Sequence, residues 1–153
     1  MLEDGIGSVA CASGMAALTN AFLNILQAGD EIVAACGLYG GTVELFDDLK
    51  PFGISVKYVK ENKPEAFEAE ITEKTRLVFA ETIGNPKLDV TDIQAVAEVA
   101  HKHDVPLIVD NTVATPYLIQ PLKLGADIVF IPLPNISMEA AMPSAVFLSV
   151  VRV

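Results

Sequence analysis

The sequence predicts an α/β fold: a doubly wound, mostly parallel sheet covered by helices on both faces. Three observations predict it. Apolar runs of four to six residues alternate with segments of helical periodicity along most of the chain. The runs are continuously apolar, as strands buried on both faces must be. Gly and Pro punctuate the joins between them.

The elements follow in order. "SGMAALTNAFLNILQAGD" reads as a helix, with Ser13 as its cap and Gly29 at its stop. Leu18, Phe22, Ile25 and Leu26 recur there at helical spacing. "EIVAAC" is a short buried strand. "TVELFDDLKPFG" is a helix ended by Pro51 and Gly53. "ISVKYV" is a strand, and "PEAFEAEIT" is a short helix with Pro64 suited to its first turn. "RLVFAE" is a strand. "VTDIQAVAEVAHKHD" is a helix capped by Thr91 or Asp92. "PLIVDN" and "ADIVFI" are strands. There is no internal repeat, low-complexity tract or interdomain linker, so the pattern describes part of one domain.

Composition narrows the function. The chain has 153 residues, 52% hydrophobic and 20% charged, which excludes a disordered or fibrous protein. A net charge of −10 argues against a nucleic-acid partner, because neutralising phosphates needs a surplus of Lys and Arg. "MLEDGIGSV" has no signal-peptide character, and no apolar run reaches the roughly 20 residues of a membrane span. Cys11 and Cys36 make no disulfide framework. The expectation is a cytoplasmic protein with no membrane association. "GIG" at residues 5–7 lacks a third glycine and follows no strand, so a dinucleotide fingerprint is not supported. His101 and His103 are two apart and point to different sides of their helix, so no metal site is expected.

In an open parallel sheet, ligands bind beyond the carboxyl ends of the strands. "GLYGGT" after one strand presents Tyr39. "TIGNP" after another presents Asn85. Asp110 ends "PLIVD". The helix starting at Ser13 adds free backbone N–H groups and the positive end of its dipole, a ready anion site. Each feature alone has an ordinary structural explanation. Together they offer an anion site, an aromatic face, a hydrogen-bond donor and a carboxylate. That set suits a flat, phosphorylated, heteroaromatic cofactor. Pyridoxal 5′-phosphate (PLP) needs its phosphate held, its ring stacked, its phenolic oxygen hydrogen-bonded and its ring nitrogen kept protonated by a carboxylate.

The segments "ASGMAAL", "AGDEIV", "LYGGTVELF", "FAETIGNPKLDVTDI" and "VPLIVDNTVATPYLIQPLKLGADIV" carry a resemblance. From about Ala10 to Val129 the chain resembles the Cys/Met-metabolism family of PLP-dependent trans-sulfuration enzymes. That family includes cystathionine γ-synthase, the cystathionine and methionine γ-lyases and O-acetylhomoserine sulfhydrylase. "ASGMAA", "LYGGT" and "ETIGNPKLDV" look most like the sulfhydrylase branch. The resemblance implies part of the large domain of a fold-type I PLP enzyme, acting on a small amino-acid substrate within a homodimer or tetramer. It implies that Gly14 and Met15, behind Ser13, hold the phosphate through backbone N–H groups. Tyr39 would stack on the ring, Asn85 would bond the phenolic oxygen, Asp110 would pair with the ring nitrogen, and Thr112 would lie close to the ring.

The resemblance also exposes two departures. The family's N-terminal segment, whose Tyr and Arg reach the partner subunit's phosphate, has no counterpart before Met1. In the family, "GADIV" leads into a "VHS-A/L-TK" segment that carries the Schiff-base lysine. Here "FIPLPNISMEAAM" follows, and the last lysine in the chain is Lys123. Residues 1–129 therefore read as a partial PLP-binding domain, and residues 130–153 as a non-family tail.

A lost base offers a cause. If one base is deleted after Val129, the codons from Phe130 onward regroup to allow "HS(A/L)TKY(I/L)(N/D)GGRHA(V/I)GG". The lysine triplet would span Pro134 and Asn135. The other shifted frame cannot place a Lys there. The triplets across Met138/Glu139 and Met142/Pro143 are forced to Gly and Ala. Without a lysine amine the chain is expected to hold PLP noncovalently and to lack catalysis. The other functional reading is a non-catalytic relic or interaction module that pairs with an intact paralogue. The tail is β-prone from Ala145, so poor folding of the isolated chain is a further expectation.

Overall fold

The computed structural model describes residues 5–132 and 146–150. Its centre is set by the most apolar runs. These are β2 (Glu31–Ala34), β4 (Thr75–Glu81) and β5 (Leu107–Asp110), in which every residue except Arg76 is buried. With β3 (Ser55–Tyr58) and β6 (Ile128–Pro132) they form a five-strand parallel array. Two further strands, β1 (Gly7–Cys11) and β7 (Val146–Val150), extend it. The order across the sheet is β1-β7-β6-β5-β4-β2-β3, and β7 runs antiparallel to both neighbours.

Helices α1 (Gly14–Ile25) and α2 (Gly40–Leu49) pack together, as do α3 (Pro64–Glu70) and α4 (Ile93–Lys102). The first pair meets the sheet through aromatic side chains. The rings of Phe22 and Phe46 lie 5.6 and 5.5 Å from that of Phe79, both edge-on, and 5.4 Å from each other. Side chains alternate along a strand, so Leu77, Phe79 and Glu81 share the α1/α2 face of β4. On the other side α4 buries Ile93, Val96, Ala97 and Ala100. The predicted α/β fold with a mostly parallel sheet is therefore observed.

Several boundaries differ from the sequence reading. The lead-in contains β1, whose residues are mostly exposed and carry no buried apolar run to announce it. Helix α1 stops at Ile25, and Gly29 (φ 101°) closes a turn beyond it. Helix α2 begins two residues early, at Gly40, and hands over to a 3-10 turn at Lys50–Phe52 that ends on Gly53 (φ 80°). A short helix, α5 (Thr115–Leu118), and a 3-10 turn at Pro121–Leu124 fill the stretch before β6. The proposed lysine position at Pro134 and Asn135 lies outside the described residues.

Two caps are built as the sequence suggests. Ser13 Oγ accepts the Ala16 N–H at 3.1 Å, and Asp92 Oδ1 accepts that of Ala95 at 3.1 Å. Replacing Ser13 by Ala leaves the Ala16 N–H to water. We expect a loss of about 1 kcal/mol, read from the midpoint of urea unfolding. His101 is not a free surface residue: its Nε2 lies 2.8 Å from Asp127 Oδ2, which also accepts the Leu107 N–H.

Candidate functional site

The chain passes from β2 through α2 to β3 in one direction, then crosses back to β4 on the other side of β2. At such a reversal the loops leave the sheet on opposite faces and open a crevice at the strands' carboxyl ends. A cavity of about 790 Å³ lies there, within the usual size range of small-molecule sites. Ser13, Gly14, Met15, Tyr39, Asn85, Asp110 and Thr112 all line it. Seven positions spread over about a hundred residues of sequence thus meet at one opening.

Each side chain arrives there for a local reason. Ser13 caps α1, so Gly14 and Met15, whose N–H groups have no acceptor within the helix, start that helix at the edge of the cavity. The ring of Phe130 packs against Gly14, where a Cβ would lie only 2.9 Å from it. Tyr39 precedes α2 and is 54% exposed, so its ring is available on one face. Its ring folds back over Gly41, where a Cβ would lie 2.6 Å from it. Asn85 stands on a loop closed by Gly84, whose N–H donates to the Asp89 carbonyl at 2.9 Å. A Cβ on Gly84 would meet the Gly37 carbonyl oxygen at 2.8 Å, so glycine there lets the Asn85 loop rest on the Tyr39 loop.

Asp110 ends β5 and is only 8% exposed. Its Oδ1 accepts hydrogen bonds from the backbone N–H and hydroxyl of Thr112. Burial pushes its carboxyl up to about 6, against the pull of both Thr112 bonds. Thr112 therefore sits at the cavity and also orients the carboxylate.

Sequence reasoning missed Glu81. It ends β4, is 5% exposed and lines the cavity. Its register partner on β5 is Asp110, so the two carboxyls project side by side on one face. Oε1 accepts the Tyr39 N–H at 2.8 Å. Burial pushes Glu81 up to about 7; the Tyr39 N–H opposes this, the Asp110 charge adds to it, and the Asn85 N–H opposes it. The signal was visible: "RLVFAE" ends in a carboxylate just as "PLIVD" does. An acid closing an apolar strand must either reach solvent or find donors.

The model of the Cys/Met metabolism PLP-dependent enzymes matches residues 1–132. The chain belongs to that family. Among curated members, the O-acetyl-L-homoserine sulfhydrylase of Leptospira meyeri is 52% identical over 129 residues, or 84% of this chain. The chain spans 29% of that relative's length. Solved structures of the family superpose closely. O-acetylhomoserine sulfhydrylase of Wolinella succinogenes gives a TM-score of 0.88 at 38% identity, over 97% of this chain and 42% of that one. A putative O-acetylhomoserine (thiol)-lyase of Campylobacter jejuni, carrying N′-pyridoxyl-lysine-5′-monophosphate, gives 0.90 at 33% identity over 99% and 38%.

The family is PLP-dependent. The donor set of this cavity fits that cofactor: helix N–H groups for a phosphate, an exposed aromatic face, an amide and a buried carboxylate for a ring nitrogen. Among the described residues lining the cavity there is no lysine. Among the described residues, no helix is long and apolar enough to cross a membrane, and no group of three His, Cys, Asp or Glu could hold a metal ion.

Proposed function

We propose that this chain carries the cofactor-holding half of a PLP-dependent trans-sulfuration enzyme of the O-acetylhomoserine sulfhydrylase type. The intact reaction replaces the γ-substituent of an activated homoserine with a sulfur nucleophile. The observation that carries the reading is convergence. Helix N–H groups, Tyr39, Asn85 and the buried Asp110 line one cavity at the sheet's switch point.

The roles follow from each group's chemistry. The N–H groups of Gly14 and Met15 hold the phosphate, favoured by the helix dipole. Tyr39 covers one face of the ring, and Asn85 donates to its phenolic oxygen. Asp110, oriented by Thr112, holds a proton on the ring nitrogen. When bound, PLP supplies an electron sink for carbanions at the substrate's Cα and Cβ. The Tyr39 ring would hold that ring in place, and Asp110 would keep it protonated.

Catalysis also needs an amine that anchors the cofactor and moves protons. In the segment after Val129, where the family resemblance would place that lysine, this sequence has none, and we infer that these residues by themselves hold the cofactor without turning over substrate. The reading assigns residues 1–129 to the cofactor-binding part and residues 130–153 to a tail produced by a single-base deletion. Sequencing the gene around codon 130 is expected to show bases that regroup into the lysine segment. Bases that cannot do so rule out the deletion.

Binding is tested with pyridoxine 5′-phosphate, which has no aldehyde and cannot label surface lysines. The chain is expected to bind it, with an induced circular-dichroism band in the ligand's absorption. Asp110→Asn removes a charged partner worth about 2 kcal/mol. Affinity should therefore fall by tenfold or more. Equal affinity in the two chains would remove Asp110 from the role given to it.

A further inference from the structure

The loops that carry Tyr39 and Asn85 lie more than forty positions apart in sequence, yet they meet where a Cβ on Gly84 would lie only 2.8 Å from the Gly37 carbonyl oxygen. Glu81 Oε1 accepts the Tyr39 N–H at 2.8 Å, and the Asn85 N–H also favours the ionised Glu81. The Glu81 backbone is itself held, because its carbonyl accepts the Thr91 hydroxyl at 2.7 Å. Thr91 in turn donates its N–H to the Thr82 carbonyl at 3.2 Å. The carboxyl stands on the central strand β4, in register with Asp110. It therefore ties the Tyr39 loop to the strand pair that presents the Asp110 carboxylate.

We propose that Glu81 is a positioning residue for the cofactor: its carboxyl clamps the Tyr39 backbone, fixing the Tyr39 ring against the ring that Asp110 holds, and the Gly84–Gly37 contact carries that hold to the Asn85 loop. This inference rests on the cofactor reading of the cavity. Glu81 makes no contact with the ring in the role given to it. Its effect passes through the Tyr39 amide it holds.

A carboxyl suits this task better than a backbone carbonyl would. Its two oxygens accept donors from different directions, and burial keeps water from competing for them. The Gly84–Gly37 approach keeps the same two loops in contact, so the clamp acts on loops already touching. Loss of the carboxyl leaves the Tyr39 N–H without its acceptor.

The test reads the clamp and its consequence separately. Amide hydrogen exchange is followed in the full chain and in Glu81→Ala and Glu81→Gln. In Glu81→Ala, exchange at Tyr39 is expected to quicken by about tenfold or more, while Ala35, whose N–H bonds the Phe79 carbonyl, stays protected. Affinity for pyridoxine 5′-phosphate falls about tenfold, and its induced circular-dichroism band weakens. Glu81→Gln keeps one acceptor oxygen but loses the charge, so it should show the same changes at reduced size. Should Glu81→Ala also lose protection at Ala35, Glu81→Gln becomes the deciding chain. Selective quickening there at Tyr39, with a smaller band, supports the clamp; exchange and band equal to those of the unaltered chain overturn it. If the unaltered chain binds and Glu81→Ala binds equally well, the role of Glu81 falls while the cavity reading stands. If the unaltered chain does not bind, both fall.

Discussion

Raising the pH from about 5 to about 8 is expected to destabilise the ligand-free chain by several kcal/mol. Two buried carboxyls cause it. Asp110 moves from 3.8 to about 6 and Glu81 from 4.5 to about 7, both chiefly through burial. The folded state therefore keeps protons that the unfolded state has already released. Stability from these groups is full below about pH 4, declines as pH rises, and has been lost once both are ionised above about pH 7. Between roughly pH 5 and 6 about one and a half protons separate the states, so the slope is about 2 kcal/mol per pH unit. The surface acids Glu61 and Glu68 are shifted down by lysine partners, so they act in the opposite direction and only at more acid pH. Urea unfolding midpoints across this range give the measurement. Glu81→Gln should roughly halve the decline, and an unaltered profile in that variant would rule out the burial argument. A bound cationic ring keeps Asp110 ionised, so pyridoxine 5′-phosphate should flatten the curve further.

Phe79→Ala is expected to cost about 4 kcal/mol, enough to leave a marginal domain largely unfolded. Phe79 is fully buried, and the rings of Phe22 and Phe46 both close on it edge-first. Deleting the ring removes that packing and leaves a void that α1, α2 and the sheet cannot all close. Phe79 also stands two residues before Glu81 on the same face of β4, directly beneath the cavity. A survivor of this substitution should therefore bind pyridoxine 5′-phosphate more weakly as well. Phe79→Leu keeps most of the volume and should cost less than half as much. Calorimetry or urea unfolding of the pair decides it, and equal losses would count against the packing argument.

The central strands were legible because β2, β4 and β5 are uninterrupted apolar runs. Neither face of such a strand can meet water, so the layered α/β solution follows. The edges were not legible. β1 is mostly exposed, and its pairing with β7 depends on a partner far away in sequence rather than on its own pattern. The start of α2 was missed because Gly40 and Gly41 are poor helix formers, and the helix is held by packing of Leu45, Phe46 and Leu49. Within the site, Tyr39, Asn85 and Asp110 stood out because each follows or ends a strand. Glu81 meets the same criterion, but it was counted as a strand residue. Its part depends on a backbone donor from the Tyr39 loop, which no local pattern displays. The contact of Phe130 with Gly14 was equally hidden, since it joins β6 to the first helix.

The reversal in strand order has a kinetic side. β2 lies between β4 and β3, and α1 touches β6, so the rim of the cavity joins stretches about a hundred positions apart. Contacts of that separation form late and slowly. No early intermediate therefore owns a finished pocket, and a small phosphorylated aromatic can distinguish completed molecules from those still assembling. Added during refolding, it should raise the yield without hastening the first steps.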